Sequence, residues 1–169
     1  EAGYPRFFQN PLIRQLVGKL AAEGSMKARD PLLPTKAVAV DLCNFLGLDR
    51  NLIAPVQSVW SVRLPDNEII IRECQAFLQH TGCGLSSREA ESLLEQNFAT
   101  PCHNEERSLE SPGENLSLIR SKLHGIYGTA AETDIHIFRS GMNAFYSGFR
   151  ALQAIQLDNN QDLWIQLGW

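Results

Sequence analysis

The sequence predicts an α/β chain in which a mainly helical first part leads, through an exposed linker, into a strand–helix–strand unit. Three observations carry that expectation. Between about residues 10 and 98, apolar residues recur at helical spacing between recognisable caps. From Ala99 to Asn115 this periodicity stops across two prolines, a glycine and the charged Glu105-Glu106-Arg107 run. Near the end the period changes within a few residues. Asp134 to Phe138 alternates like a buried strand, whereas Met142, Phe145, Phe149 and Leu152 follow at helical spacing before the apolar run Leu163 to Leu167. The regions are therefore 1–98, helical; 99–115, loop or linker; and 116–169, a stretch that holds the strand–helix–strand unit.

The elements follow in order. Asn10-Pro11 offers an N-cap and a proline at the first helical position, and Leu12, Ile13, Leu16, Val17 and Leu20 supply the stripe that Gly24-Ser25 ends. After Pro34, residues 35–46 form a second helix closed by Gly47. Asp49-Arg50-Asn51 is a turn, and Val56 to Leu64 reads as one strand, rich in β-branched residues. Pro65-Asp66-Asn67-Glu68 starts a third helix, with Ile70, Cys74, Phe77 and Leu78 on one face, and His80 to Gly84 breaks it. Ser86-Ser87-Arg88-Glu89 is a capping box for the next helix. Glu114-Asn115 opens another, carrying Leu116, Ile119, Leu123 and Ile126, with Gly128 as its natural end. The helix from about Gly141 to Gln156 then connects Asp134–Phe138 to a parallel Leu163–Leu167 by a right-handed crossover.

Composition narrows the function. A length of 169 residues with 44% hydrophobic content allows one good core. The net charge of −4 supplies no basic stripe for nucleic acid. No apolar run approaches the roughly 20 residues of a membrane span, and the first residues lack the order of a secretory leader. Cys43, Cys74, Cys83 and Cys102 form no CxxC pair, and His80 and His103 add no metal-site spacing. The four cysteines read as reduced thiols of a cytoplasmic protein. His80, in a glycine-containing loop without a neighbouring acid or nucleophile, reads as a loop residue.

Chemistry concentrates at Ser140-Gly141-Met142, a strand-to-helix turn. A helix start leaves backbone N–H groups unpaired and partly positive, and a glycine there lets an anion approach the backbone. Phosphate suits that place. The plainer reading is a serine N-cap on an ordinary helix.

Ser140-Gly141-Met142-Asn143-Ala144, the apolar strand before it and Trp164-Ile165-Gln166-Leu167-Gly168-Trp169 after it resemble the cystathionine γ-synthase family of pyridoxal-phosphate enzymes. Gly3 to Phe8 also resembles the opening of a fungal-type branch of these synthases. The resemblance implies a type I pyridoxal-phosphate transferase fold, of which this chain holds a mainly helical N-terminal part and the first βαβ unit of the large domain. It implies pyridoxal 5′-phosphate as cofactor, with Gly141 and Met142 gripping its phosphate and Ser140 as a flanking hydroxyl or cap. The implied chemistry is transferase or lyase chemistry of transsulfuration and methionine biosynthesis, namely γ-replacement or γ-elimination on homoserine-ester, cysteine or cystathionine-like amino acids. A homo-oligomer is implied for the complete protein. In this class a Tyr-x-Arg pair reaches a neighbouring subunit's phosphate; Tyr4-Pro5-Arg6 matches the letters but lies far upstream, and reads better as an aromatic arm packed on the fold.

The family also needs a covalent lysine, an aspartate for the pyridinium nitrogen and an aromatic residue on the ring, all normally after the Gly-Met turn. No lysine follows Met142, and Lys36, the last residue of a Thr-Lys pair, lies in a helical stripe well before it. The chain therefore reads as the N-terminal portion of a longer enzyme, inactive alone and with no catalytic residue of its own. The alternative is a non-catalytic helical interaction or regulatory module derived from that fold.

Overall fold

The computed structural model describes residues 9–100, 112–128 and 131–158. Helix α1 spans Pro11–Ala22, α2 Lys36–Leu46, α3 Glu68–Thr81 and α4 Ser87–Phe98. The expected caps are present. Asn10 Oδ1 accepts from Leu12 N at 2.9 Å, and Gly47 closes α2 in the left-handed conformation. Asn67 caps α3, and Ser86 with Glu89 forms the reciprocal capping box of α4. These caps satisfy backbone groups that each helix end leaves orphaned.

The sheet differs from the expectation of one strand over Val56–Leu64. Three short strands, β1 (Leu32–Leu33), β2 (Ile53–Val56) and β3 (Val59–Val62), pair antiparallel in the order β1-β3-β2. The chain reverses at Gln57-Ser58, where Gln57 takes φ 54. Hairpin turns need such a conformation, and neither residue belongs to the glycine or asparagine pairs that announce one. Pro55, which cannot donate to a ladder, is tolerated because β2 is an edge strand.

Alternation across the sheet divides the core. Leu32, Val56 and Val59 join Leu16, Leu20 and Leu94 on the side of α1 and α4. Leu33 and Val62 join Leu42, Cys43, Cys74 and Phe77 on the side of α2 and α3. Buried Asp30 fastens the loop before β1 to the end of β3, its two carboxylate oxygens accepting from Lys27 N at 2.9 Å and Leu64 N at 3.0 Å.

Beyond residue 100, α5 (Pro112–Tyr127) begins two residues earlier than Glu114, and Gly128 follows it with φ 63. A 3-10 turn at Glu132–Asp134 precedes α6 (Gly141–Asp158), which covers the helix expected from about Gly141 to Gln156. The strand expected at Asp134–Phe138 is absent. Residues 135–138 pair with no strand among the described residues, and Ile135 O accepts instead from Arg120 Nε at 3.2 Å. An alternating pattern marks which side chains share a face, but a strand needs a ladder partner for its backbone. The expected partner, Leu163–Leu167, lies outside the described residues, as do Tyr4, Arg6, Cys102, His103 and most of the linker. The class is thus mixed α/β, but the only sheet among the described residues is antiparallel and belongs to the first part of the chain. No helix among them is long and apolar enough to cross a membrane, and no acid, histidine and cysteine cluster suited to a metal occurs among them.

Candidate anion-binding turn

The first turn of α6 is held from beneath by the loop joining α3 to α4. Gly82 ends α3 with φ +62, a conformation that disfavours a side chain, and a Cβ built there would lie 2.7 Å from Ser140 Oγ, 3.1 Å from Asn143 N and 3.2 Å from Met142 Cβ. Cys83 Sγ accepts from Asn143 Nδ2 at 3.2 Å. Its own amide donates to Thr81 Oγ1, which in turn donates to Phe77 O at 2.7 Å. On the upstream side Arg139 Nη1 meets Glu89 Oε2 at 2.5 Å, and the same oxygen accepts from Ser86 N and Ser86 Oγ in the α4 capping box. One loop and the first turn of α4 thus clamp both flanks of Ser140-Gly141-Met142.

Further along α6, Tyr146 packs edge-on against Phe77 with ring centres 6.1 Å apart, and Arg150 Nη2 lies 3.3 Å from Asp41 Oδ1. Burial pushes the Tyr146 hydroxyl above the usual phenol range, and the Asp41 carboxylate adds to it while Arg150 opposes.

At the turn itself Ser140 is the N-cap. Its Oγ accepts from Asn143 N at 3.1 Å and its carbonyl from Ala144 N at 3.0 Å. The N–H groups of Gly141 and Met142 have no partner among the described residues, and nothing lies within 4 Å of a Cβ built on Gly141. Two adjacent donors at the positive end of an 18-residue helix, on residues exposed to solvent, are what a phosphate or carboxylate oxygen requires. The serine hydroxyl is already engaged as an acceptor, so capping is its first role.

Sequence reasoning placed Ser140, Gly141 and Met142 on the turn but missed Gly82, Cys83 and Glu89, which hold it. Their contacts cross 50 to 60 residues, a separation no local spacing can signal. His80 lies in the last turn of α3, exposed, and not in the loop after it. Lys36 starts α2, with its ammonium 5.4 Å above the Trp60 ring, and Lys19 lies 5.2 Å above Phe98. Cys43, Cys74 and Cys83 are free and buried.

Nearly the whole chain is similar to part of a known enzyme. That relative is the L-2-amino-4-chloropent-4-enoate dechlorinase/desaturase of Streptantibioticus cattleyicolor, 31% identical over 169 residues, an alignment covering 99% of this chain and 33% of the relative. The chain spans about a third of the relative's length. No family model matches the sequence, and no solved structure matches it.

Proposed function

We propose that the chain is one portion of a pyridoxal 5′-phosphate enzyme that expels a leaving group from the γ carbon of an amino acid. The observation that carries this reading is the likeness to a protein named for dechlorinating L-2-amino-4-chloropent-4-enoate, in which chlorine sits on C4, the γ carbon. Loss of chloride together with a proton adds one unsaturation, which agrees with both halves of that name. Among the γ-substituted amino acids suggested by the cystathionine γ-synthase resemblance, a γ-halogenated one is therefore favoured over a homoserine ester or cystathionine. Residues 1–98 form the helical support, 99–115 the linker and 116–169 the start of the cofactor domain.

The described residues fit the phosphate end of the cofactor. Gly141 N–H and Met142 N–H would donate to phosphate oxygens, while Ser140 caps the helix start and Gly82, Cys83 and Glu89 hold the turn in place. When bound, pyridoxal phosphate supplies the electron sink that lets a proton and a γ leaving group depart. None of Lys19, Lys27, Lys36 and Lys122 lines the two clefts beside α6, so the seat offered here is for phosphate and not for the aldehyde.

The test is binding of pyridoxamine 5′-phosphate, followed by its fluorescence, against pyridoxamine. Saturable binding is expected only for the phosphorylated compound. Gly141→Pro removes one donor at the first helical position, where proline preserves the helix. It should weaken binding about tenfold, the loss of one hydrogen bond to a charged group, with helical circular dichroism retained. Equal binding of the two compounds would remove the phosphate seat. For the reaction, the longest polypeptide the gene encodes, supplied with pyridoxal phosphate, should release chloride from L-2-amino-4-chloropent-4-enoate. Release no faster than with cofactor alone would reject the γ-elimination reading.

Exposed apolar side chains bear on the choice between this reading and the second one, a non-catalytic helical interaction or regulatory module. Met142, Phe145 and Leu152 on α6 are 47%, 74% and 54% exposed, and Leu116, Ile119 and Ile126 on α5 are exposed too. Each such side chain is worth roughly 1.5–3 kcal/mol when buried, so the purified chain should associate or be only marginally stable. Light scattering with chemical denaturation checks this; a monodisperse monomer of ordinary stability would mean that the fold closes on itself, and would favour the self-contained module over the enzyme portion.

A further inference from the structure

Helices α2, α3 and α6 meet around a groove of about 560 Å³, and a second cleft of about 430 Å³ lies between the start of α2 and α6. Asp41, Tyr146 and Arg150 line both and so form the partition between them. In that partition Arg150 is oriented but not saturated. Its Nη2 is 3.3 Å from Asp41 Oδ1, its Nη1 donates to Tyr146 Oη at 3.4 Å, and its guanidinium carbon lies 6.0 Å from the Tyr146 ring centre. A guanidinium carries five N–H donors and a carboxylate two oxygens, so each ion keeps unused capacity on its solvent side. The pair is part-exposed, 45% for Arg150 and 30% for Asp41.

The walls of the larger groove are aromatic. Phe45 and Phe77 have ring centres 5.3 Å apart, and Phe77 continues edge-on to Tyr146. A bare carboxylate would meet Asp41 and, from the α3 wall, Glu73, whereas a bare amine would meet Arg150. A ligand carrying both charges one carbon apart can lay its own dipole antiparallel to the Asp41–Arg150 pair, whose charges are separated by a similar distance.

We infer that this seam is a binding site for a zwitterionic α-amino acid with an aromatic or large apolar side chain. The ammonium meets Asp41, the carboxylate meets Arg150, and the side chain enters the groove beside Phe45, Phe77 and Tyr146. The site is distinct from the Gly141 and Met142 amides and stands whether or not they hold a phosphate.

Calorimetric titration of the purified chain tests it with three probes at matched ionic strength: L-phenylalanine, its des-amino analogue 3-phenylpropanoate and its des-carboxy analogue 2-phenylethylamine. Saturable binding of phenylalanine is expected, at least about tenfold tighter than either analogue, the cost of one charge-assisted contact. Asp41→Asn and Arg150→Met should each weaken phenylalanine at least about fivefold, less than a fully buried pair would because these ions are partly solvated. Inorganic phosphate should not displace the amino acid. No saturable binding, an analogue that binds as tightly as phenylalanine, or two folded variants with unchanged affinity would overturn the assignment. If the variants fail to fold, the comparison of the three probes decides.

Discussion

Gly82→Ala is expected to unseat α6. The left-handed backbone alone costs an alanine about 1–2 kcal/mol, and its Cβ would also press on Ser140 Oγ at 2.7 Å and on the backbone of Asn143 at 3.1 Å. Forcing a group into such a contact adds about 1–3 kcal/mol. A total near 3 kcal/mol corresponds to a fall in Tm of roughly 6–12 °C in a chain of this size. Gly47→Ala is the matched control. Gly47 has nearly the same φ, +64, but nothing within 4 Å of a built Cβ, so only the backbone cost remains. Calorimetric scans of the two variants isolate the docking contribution as their difference. Equal losses would mean that the α3–α4 loop does not support the turn.

Raising the pH above 9 is expected to destabilise the fold through Cys74. Its thiol, buried between α3 and the sheet, is pushed up to about 12, chiefly by burial and secondarily by the negative charge of Asp30. The unfolded thiol loses its proton near 9.0. Between these values the native state holds a proton that the unfolded state has released, so the contribution is complete below pH 9 and declines as pH rises towards 12. The slope is about 1.4 kcal/mol per pH unit, or about 4 kcal/mol over the whole window. Cys43, raised mainly by burial with Arg50 opposing and Asp49 adding, acts with the same sign, as does Tyr146. Urea denaturation at pH 7, 9 and 10.5 reads the slope. Cys74→Ala should lose some stability at pH 7 and show a shallower decline above pH 9; parallel curves for the two proteins would show that Cys74 ionises in the native state as readily as in the unfolded one.

The sequence was most informative where the determining forces are local. Asn10-Pro11, the Ser86–Glu89 capping box and Gly47 fix helix ends through neighbouring backbone groups, and these helices appear where their spacing placed them. The hairpin was harder to read because Gln57 adopts a positive φ that its side chain does not advertise, and because β1 is only two residues long and exists by pairing with β3. For Ile135–Phe138, the alternating pattern described a face and not a ladder. The turn at Ser140 was legible as a change of period; its support was not, since Gly82 functions by having no side chain and Cys83 and Glu89 approach from another part of the chain. Deeper in the core, Asp30 shows the same limit: a lone aspartate before a proline gave no sign that it would join two distant backbone segments.

Whether the open amides of Gly141 and Met142 hold phosphate is tested most directly by amide chemical shifts of the ¹⁵N-labelled chain during titration with inorganic phosphate. Saturable shifts are expected, confined to Gly141, Met142 and their immediate neighbours, absent when chloride is added to the same ionic strength and lost in Gly141→Pro. Unmoved Gly141 and Met142 signals, or shifts scattered over the surface and reproduced by chloride, would contradict it.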